Sequence, residues 1–158
     1  MSNDISLAEL YELLGAWWLH YDAANYDELA AMLAPEVKYT VRSDTGQTEY
    51  EEFIRADLQG RDATMEWLKP HRLGSPAPLR HMGMNLHRTG TDGESTTFAS
   101  YLLTTQVTNG LPQAVASAVV TGAVARGPEG LWFTAQHVVL DTQNSVSLAE
   151  REAAQAAN

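Results

Sequence analysis

Residues 95–120 read STTFASYLLTTQVTNGLPQAVASAVV. Two β-rich runs, 95–108 and 113–126, flank Asn109-Gly110, a dipeptide that accepts the positive φ angles of a tight hairpin turn. Outward from this hairpin the pattern repeats. A run at 79–88 joins it through Thr91-Asp92-Gly93, and a run at 131–141 follows Gly127-Pro128-Glu129-Gly130. Four such runs separated by short glycine-containing turns predict successive antiparallel hairpins.

The earlier residues have another periodicity. Ser6 followed by Glu9 spells a capping box. Leu7, Leu10, Tyr11, Leu14, Trp17, Trp18 and Tyr21 then recur at helical spacing as one buried stripe. Asn25 with Glu28 marks a second helix, running through Leu29 and Met32 and stopping at Pro35. Val37, Tyr39 and Val41 alternate in a first strand over 36–42. Thr48 with Glu51 reads as a third capping box, heading a helix through Phe53, Ile54 and Leu58 that breaks at Gly60. One more helical turn, 65–68, ends before Pro70. Helices first and a long meander afterwards predict an α+β fold with its helices on one face of the sheet.

No repeat or linker divides the 158 residues, so the reading is one domain over 1–146 with an Ala- and Glu-rich helical tail over 147–158. The net charge of −10 and the lack of any Lys/Arg cluster argue against nucleic acid and against an anionic membrane surface. A neutral or weakly polar small molecule is the expected partner. The chain has no cysteine, which excludes thiolate nucleophiles, disulfides and Cys-based metal sites. The acidic start Met1-Ser2-Asn3-Asp4 lacks the features of a secretory leader, and no run approaches the ~18 apolar residues of a membrane span, so a cytoplasmic protein is expected. Neither H-E-x-x-H nor His-x-His occurs, and neither does G-x-G-x-x-G, a P-loop or Gly-x-Ser-x-Gly. No metal, no nucleotide cofactor and no elbow-type serine nucleophile are expected.

The segment His20-Tyr21-Asp22-Ala23-Ala24-Asn25-Tyr26-Asp27-Glu28-Leu29 is followed in order by Ala34-Pro35, Val41-Arg42-Ser43 and Glu51-Glu52-Phe53. Leu79-Arg80-His81 with Asn85 comes next, then Glu129-Gly130-Leu131-Trp132 and Val138-Val139-Leu140-Asp141. This ordered set resembles the SnoaL-like branch of the nuclear-transport-factor-2-like superfamily, nearest in pattern to the scytalone dehydratases. The resemblance implies a cone: a strongly curved antiparallel (mixed) sheet and three N-terminal helices enclosing a hydrophobic pocket. It also implies a homo-oligomer, dimer or trimer, since this superfamily commonly dimerises through the outer sheet surface. Superfamily members include dehydratases, isomerases, polyketide cyclases and non-catalytic dioxygenase subunits, so fold alone does not assign function.

Asp22 lies four residues after Trp18, on the helix face of the apolar stripe, and helix spacing alone leaves it either buried there or at the helix end facing solvent. Period two on a strand sets His81, Gly83 and Asn85 on one face and Met82, Met84 and Leu86 on the other. The resemblance pairs the aspartate matching Asp22 with the histidine matching His81. A carboxylate accepting the Nδ1–H of His81 would fix its tautomer and leave Nε2 to take a proton. Tyr21, Tyr39 and Tyr101 are the phenols able to hold a carbonyl oxygen, and Tyr21 ranks first because it matches a tyrosine of the dehydratase pattern. Asn85 is a further donor, and Trp18, Val41, Val119 and Thr121 complete the expected substrate contacts.

The sequence departs from the scytalone dehydratase pattern in three places. Val41 stands where a tyrosine precedes Arg-Ser, with Tyr39 two residues earlier on the same strand face. The second histidine of that pattern falls near Thr108, and its Ser-x-Asn pair near Val119 and Thr121. The pocket is thus more apolar, and scytalone is not the expected substrate. His71, in Lys69-Pro70-His71-Arg72, is expected in solvent, with the pocket mouth as the alternative. The leading expectation is a cofactor-independent lyase or isomerase acting on a hydrophobic small molecule through His81, Asp22 and Tyr21. The alternatives are a non-catalytic binding or subunit-assembly module and a polyketide-type cyclase.

Overall fold

Ser6 and Glu9 make the capping box reciprocally, Ser6 N–H donating to Glu9 Oε2 at 2.9 Å and Glu9 N–H to Ser6 Oγ at 3.3 Å. They open α1 (Leu7–Ala23), whose Leu10, Leu13, Leu14, Trp17, Trp18 and Tyr21 are buried. The computed structural model describes residues 4–92 and 94–157, so Gly93 of the predicted turn and Asn158 of the tail lie outside it. After α1 come α2 (Tyr26–Ala31), β1 (Leu33–Ser43), α3 (Glu51–Ile54), β2 (Ala56–Gln59) and α4 (Arg61–Gly74). The meander follows as β3 (Leu79–Asp92), β4 (Ser95–Thr108), β5 (Leu111–Arg126) and β6 (Leu131–Leu140), and α5 (Leu148–Ala156) ends the chain.

Among the described residues the strands form one sheet in the order β2-β1-β6-β5-β4-β3. Only β1 and β6 run parallel; the other neighbours are antiparallel. The sheet is therefore mixed, as expected for the cone. Its curvature follows from what α1 touches. A Cβ on Gly83 of β3 would meet Leu14 and Trp18 of α1 at 3.0–3.1 Å. Trp17 of the same helix meets Phe133 of β6 at 5.4 Å and Tyr39 of β1 at 6.4 Å between ring centroids. From β3 to β1 is four strand steps, about 19 Å in a flat sheet, whereas a helix is about 10 Å across. One helix reaches both only if the sheet wraps it. Bulges in β3, β4–β5 and β5–β6 supply the bend.

The predicted third helix divides. Glu51 does not act as the N3 residue of a capping box. Its buried carboxylate instead accepts Ser43 N–H at 3.1 Å, Ser43 Oγ–H at 2.5 Å and Thr48 Oγ–H at 3.0 Å. This ties α3 to the end of β1, and residues 56–59 pair with 38–41 of β1 as a strand. The expected turn at 65–68 is a 14-residue helix that continues through Pro70. In the second helix Asn25 makes no side-chain cap, and the chain turns to strand before Pro35, which sits where β1 is irregular.

The Ser43 hydrogen bonds, ahead of the other donors, lower the Glu51 pKa to about 2. Because the folded value lies below the unfolded one, Glu51 stabilises the fold above about pH 4.5 and that contribution fades as pH falls toward 2. Denaturant unfolding at pH 7 and pH 3 is expected to show a smaller acid-induced loss of stability in Glu51→Gln than in the wild type. Equal losses would show that this carboxylate is not a source of acid sensitivity.

Candidate active site

The last turn of α1 and the first residues of β3 meet over the apolar wall of the cone. His81 N–H donates to Asp22 Oδ2 at 2.9 Å, and the His81 ring joins Nδ1 to Asp22 Oδ1 at 2.6 Å. The β3 strand is the sheet edge, so its free side offers a backbone donor that a central strand would have committed to a neighbour. An ionised carboxylate only accepts, which puts the ring hydrogen on Nδ1 and the lone pair on Nε2. Both side chains are largely withdrawn from water, His81 being 12% and Asp22 8% exposed. Trp18 stacks on the imidazole at 4.9 Å and 13°, and Tyr21 meets it edge-on at 5.1 Å. The ring is thus held by a carboxylate and by two aromatic neighbours from one helix.

Beside the dyad lies a cavity of about 250 Å³. Trp18, Tyr21, Tyr39, Val41 and His81 line it, together with Phe53 and Ile54 of α3 and Trp67 and His71 of α4. Leu102, Thr104, Ala116, Val138 and Leu140 form the sheet wall. Burial raises the Tyr21 and Tyr39 hydroxyl pKa values and keeps both phenols protonated. At the rim, Asp141 accepts the Ser117 hydroxyl at 2.6 Å. Among the described residues no three His, Asp or Glu side chains gather as a metal site.

Four expected substrate contacts are elsewhere. Asn85 is exposed with φ +54, and the register of β3 shifts between Met84 and His87. This extra residue ends the alternation begun at His81, so Asn85 turns outward and Leu86 turns into the core, against the period-two reading. Leu86 N–H, freed from the ladder, donates to Tyr11 Oη at 3.2 Å. Tyr101 (57% exposed), Val119 (38%) and Thr121 lie on the outer face of β4 and β5. Tyr101 pairs with Val119, and neither residue borders the cavity.

Two residues carry more than the sequence reading assigned them. His71 is not solvated; it sits in α4 between Trp67 and Phe53, with centroids at 4.3 and 4.6 Å, and its Nδ1 lies 2.7 Å from the Tyr21 hydroxyl. Arg72, buried to 7% exposure, donates from Nε to Tyr21 O at 3.1 Å, from Nη2 to Asp22 O at 2.9 Å and from Nη1 to Pro76 O at 3.1 Å. It satisfies carbonyls at the end of α1 and fixes the backbone that carries Tyr21 and Asp22. Arg72→Ala is expected to cost about 3 kcal/mol because several buried acceptors lose their donors. By thermal unfolding that is a fall in Tm of roughly 6–12 °C. Lysine, which lacks the planar fork, should restore little of it.

The model of the SnoaL-like domain family matches residues 6–146. No curated protein matches the chain in sequence. Solved structures share the fold. The beta subunit of benzoate 1,2-dioxygenase from Burkholderia mallei has a TM-score of 0.69 at 16% identity, covering 94% of this chain and 98% of that one. ActVI-ORFA from Streptomyces coelicolor has a TM-score of 0.67 at 20% identity, covering 84% and 95%. An NTF2-like protein with a cystatin-like fold from Novosphingobium aromaticivorans has 0.67 at 18%, covering 92% and 86%.

Proposed function

The chain belongs to the SnoaL-like domain family, and from that premise we propose that it is a cofactor-independent lyase or isomerase acting on a hydrophobic small molecule. The observation that carries this reading is the 2.6 Å contact between Asp22 and His81 Nδ1 beside an aromatic-lined cavity. With Nδ1–H committed to the carboxylate, His81 Nε2 is the general base. It takes a carbon-bound proton next to a carbonyl, and Asp22 stabilises the imidazolium that forms. Tyr21 donates to the carbonyl oxygen as charge gathers there. The proton then returns either to a leaving hydroxyl or halide, giving elimination, or to a neighbouring carbon, giving isomerisation. Trp18, Tyr39 and Val41 hold the apolar body of the substrate, and a cyclase would differ only in that substrate.

The test is turnover of a panel of aromatic β-hydroxy ketones, followed by the absorbance of the conjugated product. The reading predicts a panel member converted by the wild type and converted about 10²–10⁴-fold more slowly by His81→Gln. Conversion at equal rates by both would overturn it.

A second reading is a non-catalytic subunit or binding module, favoured by the likeness to a dioxygenase beta subunit and by the outer sheet face. There Met84, Tyr101, Val119 and Val139 form one cross-strand row, and exposed apolar rows of this kind mark interaction surfaces. The same row supports a homo-oligomer in the catalytic reading, so the turnover of His81→Gln, not the oligomeric state, separates the two.

A further inference from the structure

We propose that His71 is a positioning residue of the acid half of this site: its Nδ1–H donates to the Tyr21 oxygen and frees the phenolic hydrogen for an acceptor oxygen on the ligand. The inference rests on the reading of Tyr21 as the electrophilic donor and adds what holds it.

The contact is 2.7 Å between Tyr21 Oη and His71 Nδ1. A neutral imidazole has one N–H and one lone pair, so two arrangements are possible. If Tyr21 donates to Nδ1, the ring hydrogen sits on Nε2, which is buried and without a partner among the described residues. If Nδ1–H donates to Tyr21, Nε2 is an unpaired acceptor instead. Buried orphan N–H groups are rarer in folded proteins than under-satisfied acceptors, which favours the second arrangement. In it the phenol receives a hydrogen bond and keeps its own hydrogen to give. Accepting one bond strengthens the next along the chain.

The surroundings keep His71 in the neutral form that this role requires. The ring is sandwiched between Phe53 and Trp67. Burial first, then the electrostatic influence of the neighbouring His81 and Arg72 side chains, lowers its pKa to about 4. A neutral donor pair opposite a basic His81 selects a ligand with a carbonyl or hydroxyl oxygen at one end of an apolar body, not a cation.

The tautomer is readable without a substrate. Long-range 1H–15N correlation spectra of the wild type, with His71 assigned through His71→Gln, distinguish Nδ1–H from Nε2–H rings. The expected result is a neutral Nδ1–H ring for His71 down to about pH 5. Binding of 1-indanone should be about tenfold tighter than that of indane, the same shape without the oxygen, and the difference should vanish in Tyr21→Phe. An Nε2–H tautomer in the wild type, or equal affinities for the two probes, would overturn the proposal. His81→Gln, which tests the base, should leave the His71 signals in place, so failure of the dyad and failure of this inference are separate outcomes.

Discussion

His81→Gln is expected to lower turnover about 10²–10⁴-fold, the range typical of losing a general base, while the protein stays folded. Glutamine is the informative replacement. Its amide nitrogen can donate to Asp22 in place of Nδ1–H, so the buried carboxylate keeps a partner and the variant tests chemistry more than stability. Asp22→Asn should cost a comparable factor for another reason. Asp22 accepts two donors, His81 N–H and His81 Nδ1–H, on its two oxygens. Asparagine has one oxygen and one NH₂, so one of those donors meets another donor. The ring is then pushed toward the Nε2–H tautomer, which has no lone pair facing the substrate. A variant of either residue that folds and turns over like the wild type would remove the dyad from the mechanism.

An effect on stability at least as large as that of Arg72→Ala is expected at Gly122. A Cβ there would lie 2.3 Å from Ala135 O and 2.9 Å from the Phe98 ring. The first neighbour is backbone of the adjoining strand and cannot swing away, next to the bulge between Ala123 and Val124 where the sheet bends. Gly122→Ala should cost about 3 kcal/mol or more by overpacking, a fall in Tm of roughly 6–12 °C for a chain of this size. Gly15 provides the contrast: it lies in α1, and a Cβ there would meet nothing within 4 Å among the described residues. Gly15→Ala should therefore stabilise by about 1 kcal/mol through helix propensity. Two equal and small effects in thermal unfolding would contradict the tight approach of β5 and β6.

What could be read from the sequence follows from where the information is local. The α1 stripe and its Ser6–Glu9 cap are periodic within one element, and the meander is punctuated by its own turns, so both were legible, except that Leu7 and Tyr11 of the stripe are exposed and Leu13 is buried in their stead. The 56–59 strand, Ala-Asp-Leu-Gln, carries no β-branched residue and is a strand only because β1 lies beside it. Helix α4 runs through Pro70 with Arg72 clamped to the end of α1, a tertiary contact that local propensity does not contain. Asn85 carried a faint signal, since asparagine tolerates the left-handed region better than most residues. Strict alternation nevertheless sent it to the wrong face. Asp22 and His81 are 59 residues apart, so helix spacing and strand spacing each supplied half of the pair and only the family pattern joined them. His71 was expected in solvent or at the pocket mouth because ending the helix before Pro70 hid its neighbour Trp67 one turn earlier on α4, and because Tyr21 and Phe53 are distant from it in sequence.

The most direct test of the central claim is a double-mutant cycle on proton abstraction from a generic apolar probe, the ring opening of 5-nitrobenzisoxazole, followed by phenolate absorbance. If Asp22 acts through His81, the wild type accelerates the reaction and Asp22→Asn, His81→Gln and the double variant all fall to a similar low rate, because residues acting as a unit are not additive. Losses that multiply in the double variant, or a wild type no faster than the variants, would contradict the account.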